Sequence, residues 1–427
     1  MHEFKCSIQL NNLRKDQHFV GLFYFYGVLS KLKSLGPGLL YAGAAVGVSH
    51  LVQSTRAGAQ YGYILIGAII LAHILKYPFF VLGPRYAKQS NQSLVHGFAE
   101  IGNWAIWVLG ILTVTTMFTI QAAVTIVTAG LVQKITGTTL NSVSVSVLIL
   151  IVCLCILQIG KFKILDHLMK LVMIVLSVST IVAFFFSFQH DLDYSALAQS
   201  TFSLGNKPDL SFLVTFVGWM PAPLDIAIWH SIWVLVKPKE QSFDSDFDFK
   251  IGFYGTAFLG ICFLVLGAHT LYLTDITLEA SAGGFASQLI DIFVSNLGGS
   301  FYWVITIAAF TTMFSTTITC LDAMPRVMEK VSIKMKLNQK IQSKSFWRYI
   351  LTFGTIILLL FFVKDMKQMV SFATTVSFLT APVIAWLCLK VVSKEDNSTS
   401  LWSPLEYKLA ILGILVLGVL SITYILF

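Results

Sequence analysis

The sequence predicts an all-α polytopic membrane protein of about eleven transmembrane helices. The chain of 427 residues is 56% hydrophobic and only 12% charged, where a soluble domain carries about 25% charged residues. Its mean hydropathy is +0.78. Apolar runs of roughly 17–25 residues, the length that crosses a bilayer, recur along the whole chain. Lys and Arg gather in alternate connections between those runs, as the positive-inside rule expects.

Residues 1–35 form a cytoplasmic N-terminal segment. They mix charges with an apolar patch at 19–29 that is too short to span. Two readings stand for it, an interfacial segment or a chain start placed upstream of the true one. No cleavable signal peptide is evident. Residues 36–427 then form a single transmembrane domain. Its expected spans are 36–58, 61–83, 103–131, 142–160, 164–188, 211–236, 251–273, 299–325, 347–363, 367–391 and 406–427. The stretch 284–297 is amphipathic and reads as a short surface helix before the eighth span, or as its beginning.

With the N-terminus cytoplasmic, the only basic residues left outside are Arg56, Lys134, Lys207, Lys364 and Lys367, and Lys76 lies within a span. All the other lysines and arginines fall inside, seven of them from Arg326 to Arg348. This places the C-terminus outside, in a cell inner or plasma membrane. It also assigns the formal charge of +8 to cytoplasmic loops rather than to nucleic-acid binding. The six cysteines show neither CxxC nor zinc-type spacing and read as packing residues. No HExxH, no G-x-S-x-G and no paired catalytic carboxylates occur, so the chain is not read as an enzyme, and no cofactor is called for.

Eleven spans allow two five-helix repeats, 36–188 and 211–391, plus one extra helix at 406–427. The first and sixth spans are then equivalent. Both are interrupted centrally, by Gly47-Val48-Ser49-His50 in one and by Met220-Pro221-Ala222-Pro223 in the other. A proline in a helix removes a hydrogen bond and clashes with the preceding turn. Paired interruptions in two halves point to a substrate site at the bilayer midplane. The bland alternative for the sixth span is a proline kink with a paired Asp225.

At those breaks the candidate ligands of a metal cation are His50, Asp225, Met220 and backbone carbonyls near Gly47 and Gly218. A neutral imidazole suits transition metals, a thioether favours softer ions over magnesium, and unwound carbonyls coordinate cations. The alternatives are a His50 bonded to a backbone carbonyl and a Met220 that only packs. Candidate pathway or gating residues are His230, Gln121, Ser49, Pro221 and Pro223. Lys76 is expected to snorkel, His73 shares its helix, and Asp322 and Arg326 read as an i, i+4 ion pair. The hydroxyls from Thr311 to Thr319 either bridge helices or line a hydrated path.

The stretch Gly36-Pro37-Gly38 through Ala57-Gly58-Ala59-Gln60-Tyr61-Gly62-Tyr63 resembles the first membrane helix of the Nramp divalent-metal transporters. Met220-Pro221 and His230-Ser231 resemble the family's Met-Pro-His and His-Ser, and Thr316-Thr317-Ile318-Thr319 through Val327-Met328-Glu329 its eighth helix. The resemblance implies a LeuT-like 5+5 inverted-repeat fold with helices 1 and 6 broken. It also implies a secondary transporter of a divalent metal, manganese- or iron-like, often as a symport with protons. The departures are specific. The family's Asp-Pro-Gly-Asn falls on Gly47-Val48-Ser49-His50, so its metal-binding Asp is missing. The third span carries no carboxylates where the family uses them for protons. Asp225 is then the candidate replacement for the missing charge. The rival cargo on the same fold is Mg²⁺ or a Na⁺-coupled amine or amino acid.

Overall fold

A computed structural model describes residues 37–159, 162–189, 194–198, 202–236, 245–272, 274, 276–362, 365–394 and 401–426. The patch at 19–29 and the side chains of Asp166 and His167 lie outside what it describes. Among the described residues the secondary structure is helical, without strands.

Every expected span appears as helix. The first is broken into α1 (Pro37–Ala45), a π-helical segment (Val48–Ser54) and α2 (Thr55–Tyr61). Then come α3 (Ile66–Ser90), α4 (Leu94–Ile101), α5 (Asn103–Thr136), α6 (Ser142–Ile159), α7 (Phe162–Ser187) and the short α8 (Tyr194–Ala198). The sixth span is split into α9 (Lys207–Trp219) and α10 (Asp225–Val236). The rest are α11 (Ser245–Gly267), α12 (Ala282–Leu297), α13 (Tyr302–Lys334), α14 (Lys344–Phe362), α15 (Met366–Lys394) and α16 (Pro404–Leu426). The amphipathic stretch before the eighth span is thus a helix of its own, α12. Among the described residues, eight helices are individually long and apolar enough to cross a membrane. The first and sixth spans fall short of that length because each is two half-helices.

α11 fixes the first span from both sides of its break. Gly38 lies against the backbone of Asp248, and Gly252 against the carbonyl of Gly38, while Gly267 meets the carbonyl of Thr55. A Cβ at any of these glycines would collide with main chain. Small residues let helices approach this closely in a membrane, where packing rather than water expulsion holds them together. Asp248 adds an electrostatic anchor. Its buried carboxylate accepts the Gly38 N–H at 2.6 Å, at the positive end of α1.

The hydroxyls of α13 bridge helices, as one of the two readings had it. Thr317 Oγ1 lies 2.8 Å from Thr128 Oγ1 of α5, and Thr316 Oγ1 donates to the Gly43 carbonyl of α1 at 3.2 Å. Asp322 and Arg326 pair at 2.5 Å, and Arg348 of α14 joins them at 3.1 Å. At the ends of α3, α11 and α16, Arg85 binds Asp246 at 3.0 Å and Glu406 at 2.9 Å. The cysteines at 153, 262, 320 and 388 are buried and free, in keeping with a packing role.

Candidate functional site

The first break falls slightly earlier than the motif suggested. α1 ends at Ala45, the chain bends through Val46 and Gly47, and His50 lies inside the wide π-helical turn that follows. The Gly47 carbonyl accepts the N–H groups of Leu51 at 2.9 Å and His50 at 3.2 Å. Ser49 Oγ donates to the Ala45 carbonyl at 2.6 Å.

The sixth break is wider. α9 ends at Trp219, Met220 is extended, and the Met220–Pro221 peptide bond is cis. Helix resumes at Asp225, so Pro221 and Pro223 both lie in the linker. The Val217 carbonyl would normally accept the N–H of residue 221, but proline has none. The Gly218 carbonyl looks for its partner at residue 222, past the break. Two carbonyls are left over at the negative end of a half-helix.

Between the breaks lies a small cavity of about 20 Å³, room for a single water or ion. Its walls come from four spans: Ala45 and Ser49, Ile120 and Val124, Trp219, Pro223 and Trp229, and Thr316 and Cys320.

The candidate ligands divide into two groups. His50 is fully buried, and its Nε2 donates to the Thr256 carbonyl of α11 at 3.0 Å. Its Nδ1 lies 2.7 Å from Ser49 Oγ and 3.1 Å from the Ala45 carbonyl. Nε2 therefore holds the first break to α11, while Nδ1 is engaged within the break itself. Met220 shares that neighbourhood. Its sulfur lies 3.5 Å, and the His50 ring 3.6 Å, from where a Cβ on Gly260 would stand. Asp225 turns to other helices. Its Oδ1 accepts from Thr116 Oγ1 of α5 at 3.3 Å, and its Oδ2 is buried with no hydrogen-bond partner.

His50 and Asp225 thus make their hydrogen bonds to different helices, α11 and α5. Among the described residues no three His, Cys, Asp or Glu side chains form a metal cluster. The carbonyls of Gly47 and Gly218 already accept other donors, the second from Lys76 Nζ at 3.2 Å. Lys76 does not snorkel. It is fully buried, and its ammonium also donates to the Val217 carbonyl at 2.6 Å. The pull of two carbonyls that have lost their i+4 helical donors outweighs the reach to the interface.

The pathway candidates also separate. Ser49 and Pro223 line the cavity, and Pro221 is buried in the linker beside them. Gln121 ties α5 to α13 through the Thr317 carbonyl at 3.1 Å, leaving its own Oε1 without a partner. His230 faces neither the cavity nor a polar helix. It stacks on Tyr41 with ring centres 5.7 Å apart and lies 5.7 Å from the Phe249 ring.

Sequence reasoning missed Cys320 as a wall of the cavity and Thr116 as a partner of Asp225. A signal was present for Cys320, which stands one turn after Thr316 on the face of α13 that meets the cavity. For Thr116 there was none, because α5 carries hydroxyls at several rotations.

A family model described as natural resistance-associated macrophage protein-like matches residues 38–427. The chain belongs to the Nramp family. This Nramp chain is 33% identical to an uncharacterized protein of Pasteurella multocida (strain Pm70) over 377 residues, covering 86% of this chain and 87% of that one. Its fold is similar to that of the Eremococcus coleocola manganese transporter, with a TM-score of 0.68 at 13% identity over 91% of this chain and 85% of the other. It is also similar to MhsT in complex with L-phenylalanine, with a TM-score of 0.63 at 17% identity over 90% and 98% of the two chains. The fold is LeuT-like, as the paired breaks and the resemblance implied. The protein is an integral multi-pass membrane protein and a divalent-metal transporter, not an enzyme.

Proposed function

We propose that this transporter moves a manganese- or iron-like cation by alternating access, with Asp225 as the charge that holds it. The single observation that carries this reading is the Oδ2 atom of Asp225, buried beside the sixth break without a hydrogen-bond partner. An unpaired buried carboxylate oxygen is costly, and a cation is the partner that offsets it. Asp225 also opens α10, so the positive end of that half-helix stabilises its charge. Cys320 supplies a soft donor nearby, and Met220 a second one at the same break, which favours manganese or iron over magnesium. Ser49 and Thr316 supply hydroxyls on the cavity wall. The Eremococcus coleocola relative, a manganese transporter by name, supports the same cargo. Coupling to protons, a plasma-membrane location and a cytoplasmic N-terminus belong to this proposal, the last on the Lys and Arg distribution.

One observation favours a second reading. MhsT, whose structure is a complex with L-phenylalanine, shares the fold, which keeps an amine or amino acid as the rival cargo. Uptake into proteoliposomes separates the two. Mn²⁺, Fe²⁺, Zn²⁺ and Mg²⁺ are offered with and without a pH gradient, beside labelled amino acids with and without Na⁺. Saturable Mn²⁺ or Fe²⁺ uptake that disappears in Asp225→Asn is the expected result. Amino-acid uptake with no metal uptake sinks the proposal.

A further inference from the structure

The first half of the sixth span ends with two carbonyls that the break deprives of their helical donors, and the partner they have found is a side chain. Lys76 comes from the middle of α3, is fully buried, and places its ammonium 2.6 Å from the Val217 oxygen and 3.2 Å from the Gly218 oxygen. Met220 contributes only a backbone N–H to Val217, at 3.2 Å. Among the described residues no carboxylate lies within ion-pair distance of Lys76. Its compensation comes from carbonyl dipoles at the negative end of α9.

Such a cradle of helix-terminal carbonyls is what a small monovalent cation seeks inside a membrane protein. A free ion would enter and leave it, and the equilibrium between the arrangements of α9 and α10 would follow the salt outside. A lysine on a neighbouring helix cannot leave. It holds the same oxygens with the same charge at any salt composition.

We propose that Lys76 is a built-in cation of the sixth break, occupying on Val217 and Gly218 the place a soluble monovalent cation would take, so that transport does not depend on alkali ions there. The proposal stands on these contacts and not on the identity of the transported metal. Its corollary is that Lys76→Ala opens a vacancy the size of propylammonium, still bounded by both carbonyls. A cation from solution should fill it.

The test uses the full chain in lipid nanodiscs and in proteoliposomes. Thermal unfolding of wild type and Lys76→Ala is followed in Na⁺, K⁺, propylammonium and choline chlorides at equal ionic strength. Wild type should unfold at one temperature in all four. Lys76→Ala should unfold on the order of 5 °C lower in choline, and recover saturably with propylammonium or an alkali ion, as a ligand of the native state does. Metal uptake by the variant should depend on that same cation, a behaviour that loss of packing alone does not produce. Lys76→Met keeps the length and removes the charge, and should be destabilised without recovery because its side chain fills the vacancy. It also serves if the alanine variant does not accumulate. A Lys76→Met protein with wild-type Tm and uptake overturns the proposal, and so does a Lys76→Ala protein indifferent to all four cations.

Discussion

The two helix breaks occupy matching places in the fold and handle their loose ends differently. At the first, the groups around Gly47 and His50 have partners within the protein, and the atoms left over there, Gln53 Nε2 and Thr55 Oγ1, carry no charge. The Gly47 carbonyl takes two N–H groups, and the His50 ring is bound on both sides. At the sixth, Val217 and Gly218 need an ammonium from another helix, and Asp225 Oδ2 and Trp219 Nε1 remain unpartnered. The first break is a closed joint, and the sixth carries the charge and the unfilled valence.

The largest expected effect tests that asymmetry directly. Asp225→Asn keeps the shape and removes the charge. Metal uptake should fall about 100-fold or more, with the protein still folded in the membrane, since a buried charge partner contributes a few kcal/mol. Uptake within a factor of two of wild type would show that the sixth break is not where the cation is held. Next in size is His50→Ala. It strips the Thr256 carbonyl of its donor and should cost about 1–3 kcal/mol, read as a lower Tm. Uptake measured well below that Tm should survive better than in Asp225→Asn. Abolished uptake at unchanged Tm would return a cation-binding role to the first break and erase the distinction.

A smaller effect is expected from Cys320→Ser, which replaces a soft donor by a hard one on the cavity wall. Discrimination of Mn²⁺ over Mg²⁺ in competition uptake should drop about tenfold. Unaltered discrimination removes Cys320 from the site. The smallest belongs to Thr116→Val. It removes one hydrogen bond to Asp225 Oδ1, worth about 1 kcal/mol, and should change the apparent Mn²⁺ affinity about fivefold with no loss of maximal rate.

The fold was largely legible because hydropathy and helix length are nearly sufficient in a bilayer. Each expected span has its helix, and the two expected to be interrupted are the two that break, whereas Pro78, Pro84, Pro325 and Pro382 sit inside continuous helices. What hydropathy does not encode is rotation about a helix axis. Asp225 was visible as a buried acid, yet its turn towards Thr116 follows from how α10 packs. His50 was visible as a buried base, and whether its Nε2 offered a lone pair to a cation or an N–H to a carbonyl was decided by Thr256, 206 residues away. Lys76 was read by the general habit of lysines near helix ends. The orphaned carbonyl that attracts it was predictable, since Pro221 has no N–H to offer Val217. Joining that vacancy to a lysine on another helix required the packing of α3 beside α9.

The glycine contacts of α11 bear on which parts can move. Both halves of the first span are seated on that helix at backbone-to-backbone distance, Gly38 with Gly252 on one side of the break and Thr55 with Gly267 on the other. Surfaces that close have no slack for a lever to swing through. A rearrangement that tilts either half must carry α11 with it, as one rail carries two sleepers. The interrupted first span, for all its apparent pliability, is thus held by one neighbour on both sides of its break.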